Sequence, residues 1–254
     1  FITQATVLAA IVAAVLWVLL ATHKGLPVSV SHSLGAGVLG AGIGTAGLGA
    51  VVASGVTRVL LALAFSPLLG FLGGFALMLA IYWGFRRRTN SFVNALFGRL
   101  QVVSAAYLSF SHGRNDGQNA MGMIALAWAV YRSTDLTVEL WMVFLAAASI
   151  GVGTALGGWR VIRTLGMRVT KLQPVHGFSV EASAGSVIEA ASILGLPIST
   201  THTTATAIIG VGATRRLSAV RWGVTRDIFM AWVVTYPFCF VLGYALARLL
   251  GMVL

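Results

Sequence analysis

The chain has 254 residues, 58% of them hydrophobic and 9% charged, with a mean hydropathy of +0.92. A soluble domain carries roughly 25% charged residues, so too few remain here to cover a water-facing surface, and lipid has to cover most of it. Seventeen Lys and Arg against six Asp and Glu give a net charge of +11, which in so apolar a chain reads as basic cytoplasmic loops and not as a nucleic-acid surface.

The fold class expected is all-α, a polytopic bundle of transmembrane helices. Apolar runs of about 20 residues mark spans. They are Ile2–Ala21, Leu26–Ile43, Ser66–Phe85, Ala95–Val130, Leu140–Gly158, Phe178–Leu194, Leu196–Ala213 and Ile228–Met252. The first opens the chain with no basic segment or cleavage site, so no secretory leader is expected. Leu26–Ile43 and Leu196–Ala213 are rich in Gly, Ser and Thr, and a proline stands near the start of each. They fit broken spans or arms of re-entrant hairpins. Gly44–Ala64 gives no firm reading. Ala95–Val130 is too long for one straight span and holds a polar stretch at its middle, which predicts a discontinuous span or two half-helices. Trp159 to Arg168 reads as a basic interfacial segment. The lone Cys239 excludes an intramolecular disulfide and a thiolate cluster.

Charge tests this layout. If each segment crosses once, four connections share one side: His23–Lys24, Arg86 to Arg99, Arg160 to Lys171 and Arg215 to Arg226. They hold 13 of the 17 basic residues. Arg58, Arg132 and Arg248 fall on the other side, and Arg114 lies within a span. The basic side is cytoplasmic. Parity alone is tested, so hairpins that return to their own side would leave the count unchanged.

A nine-residue pattern occurs twice. Gly25-Leu26-Pro27-Val28-Ser29-Val30-Ser31-His32-Ser33 is matched by Gly195-Leu196-Pro197-Ile198-Ser199-Thr200-Thr201-His202-Thr203, 170 residues later. The layout puts the copies in opposite orientations, as in inverted-repeat transporters, whose sites lie where the repeats meet. Pro27 and Pro197 free backbone groups, and a helix N-terminus directed inward suits an oxyanion, with Ser29, Ser31, Ser199, Thr200 and Thr201 as hydroxyl donors.

Ser111 to Gly122 holds Asn115, Asp116 and Asn119. An ionisable residue inside an apolar span marks a functional site, and these oxygens suit a small cation. Glu181 and Glu189 share one span and point to cation coordination or proton transfer. His32 and His202 are candidate proton carriers, with Glu189 a third member of such a relay.

These motifs resemble the inorganic phosphate transporter family. Gly113-Arg114-Asn115-Asp116 is similar to the family's Gly-x-Asn-Asp motif, and the two nine-residue copies to its Gly-Leu-Pro-[Val/Ile]-Ser motif. The resemblance runs along essentially the whole chain. It implies symport of inorganic phosphate with Na+ or H+, no other cofactor and no enzymatic activity. It also implies phosphate held by Ser29, Ser31, Ser199, Thr200, Thr201, Asn115 and Asn119, and a cation held by Asp116, Asn115 and Glu181. No metal beyond a Na+ site is expected. The surroundings implied are lipids of a bacterial inner membrane, with a homodimer left open and no nucleic acid.

Two departures stand out. The family carries the Asn-Asp motif in both halves, and this chain shows one. The 170-residue offset would place its partner upstream of Phe1. Residues 1–85 therefore read as an incomplete first repeat, 86–99 as a basic cytoplasmic linker and 100–254 as the second repeat. Arg114 stands where the family has a small residue, and its guanidinium is expected to attract phosphate or to pair with Asp116 or a nearby carbonyl. Three other functions compete: the same scaffold carrying sulfate, a non-transporting receptor or scaffold subunit, and an intramembrane enzyme built on His112 and Asp116. The last lacks a second catalytic pair.

Overall fold

The computed structural model describes residues 2–252, and among them all regular structure is helical. The α-helices are α1 (Gln4–Lys24), α2 (Val30–Ala46), α3 (Ala53–Phe85), α4 (Asn90–Arg132), α5 (Leu140–Leu156), α6 (Trp159–Arg163), α7 (Pro174–Ile193), α8 (Thr200–Arg215) and α9 (Trp222–Leu250). A π turn, Thr164–Arg168, continues α6.

The repeated pattern is the turn of two helical hairpins. α1 ends at Gly25 (φ 72), and Gly195 (φ 66) occupies the same place after α7; a left-handed backbone there favours glycine. Pro27 and Pro197 hold the chain extended. Ser29 then caps α2 by accepting from the His32 amide at 3.2 Å, and Ser199 caps α8 by accepting from the His202 amide at 3.1 Å. The far ends match too. Thr3 forms a capping box with Thr6 at the start of α1, and Gln173 does so with His176 at the start of α7.

Each hairpin returns to the side it entered. Thr6 near the start of α1 bonds Thr45 at the end of α2, at 2.8 Å. The start of α7 and the end of α8 meet around one cavity with the end of α3 and the start of α4, lined by His176, Arg215, Arg88 and Asn90. By length and composition α1, α3, α9 and the bent α5–α6 unit can each cross, while α1–α2 and α7–α8 are antiparallel hairpins with both ends on one face, in keeping with the hairpin alternative. The side assigned to every other connection survives, because a hairpin and two crossings end on the same face. His23–Lys24 becomes a hairpin tip and not a loop. It still lies near the basic face, where Arg160 donates to the His23 carbonyl.

Each hairpin packs on a long helix distant in sequence. α2 packs mainly on α9, and α3 mainly on α8. Apolar side chains gain little by leaving lipid for protein, so close backbone approach holds such helices together. A Cβ at Gly40 would stand 2.0 Å from the Phe240 carbonyl oxygen, and one at Gly210, 170 residues on, would stand 2.2 Å from that of Phe71. Gly243 against Gly37 and Gly74 against Ala207 repeat the relation at 2.6 and 2.5 Å.

Two further expectations are corrected. α4 is one unbroken helix of 43 residues. Its polar stretch finds partners through side chains, so no backbone break is needed to satisfy it. The third span begins at Ala53 and not at Ser66, with Pro67 inside the helix. Ser66 Oγ donates to the Ala62 carbonyl at 2.5 Å, near the carbonyl that a proline leaves without its usual donor. The basic segment 159–168 bends 62° from α5.

Candidate functional site

The hairpins enter from opposite faces and their tips meet side by side. The rings of His32 and His202 lie 4.5 Å apart, edge to face, and His202 stacks on Trp232 at 3.8 Å. Thr201 Oγ1 donates to the Val28 carbonyl at 3.4 Å, tying one tip to the other. The crossing helices satisfy backbone groups that the prolines expose. Trp232 Nε1 of α9 donates to the Pro27 carbonyl at 2.8 Å, and the Ser199 amide donates to Ser66 Oγ of α3 at 3.0 Å.

Onto this junction α4 brings its polar stretch. Asn115 is buried. Its amide nitrogen donates to the Ile198 carbonyl at 3.3 Å and to Asp116 Oδ1 at 3.0 Å. Thr200 Oγ1 donates to Asp116 Oδ1 at 3.3 Å, and His112 Nε2 lies 2.9 Å from Asp116 Oδ2. Asn119 Nδ2 donates to Ser31 Oγ of the first tip at 2.9 Å. Asp116 thus sits between the His112 imidazole, the Asn115 amide nitrogen and the Thr200 hydroxyl, with its side chain 18% exposed. The carboxylate, the hydroxyl and the nearby Ile198 carbonyl are the oxygen type a small hard cation takes.

The placement of the expected residues divides in two. Ser31, Asn115, Asp116, Asn119, Thr200 and Thr201 come together, with Ser29 and Ser199 buried behind them as caps. His32 and His202 are at the centre. His32 Nε2 and both ring nitrogens of His202 are buried without a partner among the described residues. Glu181 stands apart, accepting from Ser104 at 2.6 Å and Gln101 at 3.3 Å. Ser104 and Asp116 are twelve residues apart on α4, about 18 Å at 1.5 Å per residue. Glu189 pairs with Arg114. The guanidinium therefore meets a carboxylate on α7, and not Asp116 or a carbonyl.

Some participants lie outside the expected phosphate and cation ligands, and of these His112 enters the sequence reading only beside Asp116 in the competing enzyme. The Ile198 carbonyl is available because it stands just before the Ser199 cap, whose hydroxyl takes the His202 amide. His112 supports Asp116 from one helical turn away, a spacing of four residues that places both on one face. Ser66 and Trp232 serve the tips from α3 and α9, far away in sequence, and no local pattern marks them.

The profile of the phosphate transporter family matches residues 1–243. The chain belongs to that family. It is 42% identical over 238 residues to a probable low-affinity inorganic phosphate transporter of Rhizobium meliloti, covering 93% of this chain and 71% of that one. It is 36% identical over 249 residues to a protein of the same description from Bacillus subtilis, covering 97% and 75%. A solved structure described as the sodium-dependent phosphate transporter superposes with a TM-score of 0.87 at 26% identity, over 100% of this chain and 82% of that one. As a member of this family the chain is an integral, multi-pass membrane protein of the bacterial plasma membrane, and it is not an enzyme.

Proposed function

We propose that the chain moves inorganic phosphate through the junction of its two hairpin tips, in symport with sodium. The observation that carries this reading is the convergence of two oppositely inserted, serine-capped helix starts beside one intramembrane carboxylate, Asp116. Helix N-termini favour an anion, and the carboxylate favours a cation close by, so each ion lowers the electrostatic cost of the other. Ser29, Ser31, Ser199, Thr200, Thr201, Asn115 and Asn119 are the proposed phosphate donors. Asp116 and the Ile198 carbonyl are the proposed core of the sodium site, with Asn115 able to join them by turning its amide. Glu181 is a second, separate acid that binds a cation or proton on its own, and His32, His202 and Glu189 form the candidate proton relay. Sodium is favoured over the proton because the Thr200 hydroxyl bonds Asp116 and the Ile198 carbonyl lies beside it on Asn115, both hard oxygens, and because the superposable solved structure is described as sodium-dependent. In this reading residues 1–85 and 100–254 are the inverted repeats and 86–99 is their linker.

Phosphate is favoured over sulfate because it can keep a proton at neutral pH, which an acceptor such as Asp116 would read. Radiolabelled phosphate uptake into proteoliposomes tests both points, with sodium and proton gradients imposed separately and excess sulfate as competitor. Uptake driven by sodium, indifferent to sulfate and lost in Asp116→Asn is the expected result. Uptake driven by protons alone would reassign the ion, and uptake blocked by sulfate would reassign the anion.

A further inference from the structure

Outside the junction, the basic segment after α5 builds a second feature. α6 and its π turn, bent 62° from the α5 axis, lie against the tip of the first hairpin. The place is the cytoplasmic end: Val169 and Thr170, just beyond the turn, bond Arg221 and Ala219 before α9. A cavity of about 900 Å³ opens there, lined by Lys24 of the tip and by Arg160, Arg163 and Arg168. Among the described residues none of these four pairs with a carboxylate. Arg163 and Arg168 are five residues apart, a spacing that an α-helix turns to different sides. The i→i+5 turn stacks them instead, and both line the cavity. Its rim is apolar: Trp159 is 72% exposed and Met167 67%.

We propose that this cavity binds the phosphodiester headgroup of an anionic phospholipid from the cytoplasmic leaflet, with Trp159 and Met167 against its acyl chains. Unpaired cations between helices at the cytoplasmic interface suit such a headgroup, and an indole suits the depth just below it. Free phosphate shares the chemistry of the headgroup, but a soluble ion has no use for the apolar rim. The occupied site would also bear on the first tip. Arg160 donates to the His23 carbonyl, and a Cβ at Gly25 would meet the Arg160 carbonyl and Thr164 Oγ1, each at 3.3 Å. The headgroup would therefore steady the segment against which that tip rests.

Trp159 supplies the reporter. The full chain is reconstituted in phosphatidylcholine vesicles carrying increasing fractions of phosphatidylglycerol with brominated chains, or of equally brominated phosphatidylcholine. The quenching that Trp159→Phe removes is followed. Each engaged cation is worth about fivefold, so half-quenching is expected at about a tenfold or more lower fraction of phosphatidylglycerol, and Arg163→Gln/Arg168→Gln is expected to erase most of that preference. Equal half-quenching by the two lipids overturns the proposal, as does an unchanged preference in the double variant. If that variant aggregates, salt replaces it: at about 1 M the Debye length falls to about 3 Å, and a preference that persists there overturns the proposal. Millimolar inorganic phosphate added from the cytoplasmic side is expected to leave the quenching unchanged. Recovery of Trp159 fluorescence would assign the cavity to the free ion instead.

Discussion

The two hairpins share a motif, a cap and a fold, yet they carry different chemistry. In the second, α7 bears Glu181 and Glu189, and its tip presents Thr200 to Asp116. In the first, the matching positions are Ile11, Leu19 and Val30, and its tip meets α4 through the bond between Asn119 and Ser31. The repeat thus fixes where two helix starts meet. The side chains added to one copy, and the helix that α7 lies beside, decide what the meeting point can hold.

The largest effect should follow from breaking what the copies share. Gly40→Ala and Gly210→Ala each push a methyl group into a backbone carbonyl, which cannot move aside without displacing its helix. Overpacking of this kind costs about 3 kcal/mol or the fold itself. Gly42→Ala is the control, because nothing lies within 4 Å of the new methyl group, and its effect should stay within about 0.5 kcal/mol. Thermal unfolding followed by size-exclusion chromatography in detergent reads all three. Loss at Gly40 without comparable loss at Gly210 would show that the two crossings are not equivalent.

The next effect separates the tips. Thr200→Val gives the second tip the side chain of the first and removes the hydroxyl that donates to Asp116. A hydrogen bond to a charged group contributes about 1.5 kcal/mol or more, so the apparent affinity for the coupling cation should fall about tenfold. Val30→Thr makes the reverse change on a residue that is 45% exposed; its cation affinity should match wild type. A gain of affinity in Val30→Thr would mean that the first tip also reaches the cation.

A smaller effect is expected at Arg114. Its partner, Glu189, keeps one buried oxygen without a hydrogen bond among the described residues, so Arg114→Ala leaves a carboxylate short of its counter-charge. Both side chains retain some exposure, at 38% and 19%, which limits the loss to about 1 kcal/mol. The phosphate KM should not change. Arg114→Ala/Glu189→Ala should recover the lost stability, and a raised KM in the single variant would return the guanidinium to the anion site.

What the sequence disclosed follows from how far each signal reaches. The paired motif is local, and it revealed the prolines and the two helix starts; its first serines, read as anion donors, turn out to cap those helices. Asp116 and Glu189 stood out because ionisable groups in apolar spans are conspicuous. Which helices pair as hairpins depends on what their far ends touch, such as Thr6 against Thr45, and hydropathy carries no trace of that contact. The unbroken course of α4 was hidden for a similar reason: its polar groups are satisfied by Ser31, Ile198 and Thr200, all distant in sequence. The same distance hid the separation of Glu181 from Asp116.

That separation supports the prediction with the smallest expected signal. The sequence offered Glu181 and Asp116 as one cation site, but each carboxylate has its own partners on α4 about 18 Å from the other's. Residues more than about 10 Å apart with no shared partner add independently, within about 0.5 kcal/mol. Asp116→Asn is expected to abolish uptake, so the cycle uses the milder Thr200→Val against Glu181→Gln, with cation activation of uptake measured in both single variants and the double. If the acids bind separately, the double variant should show the product of the two single effects. A double variant no worse than the poorer single variant would mean that both carboxylates serve one cation, at stages of transport about 18 Å apart.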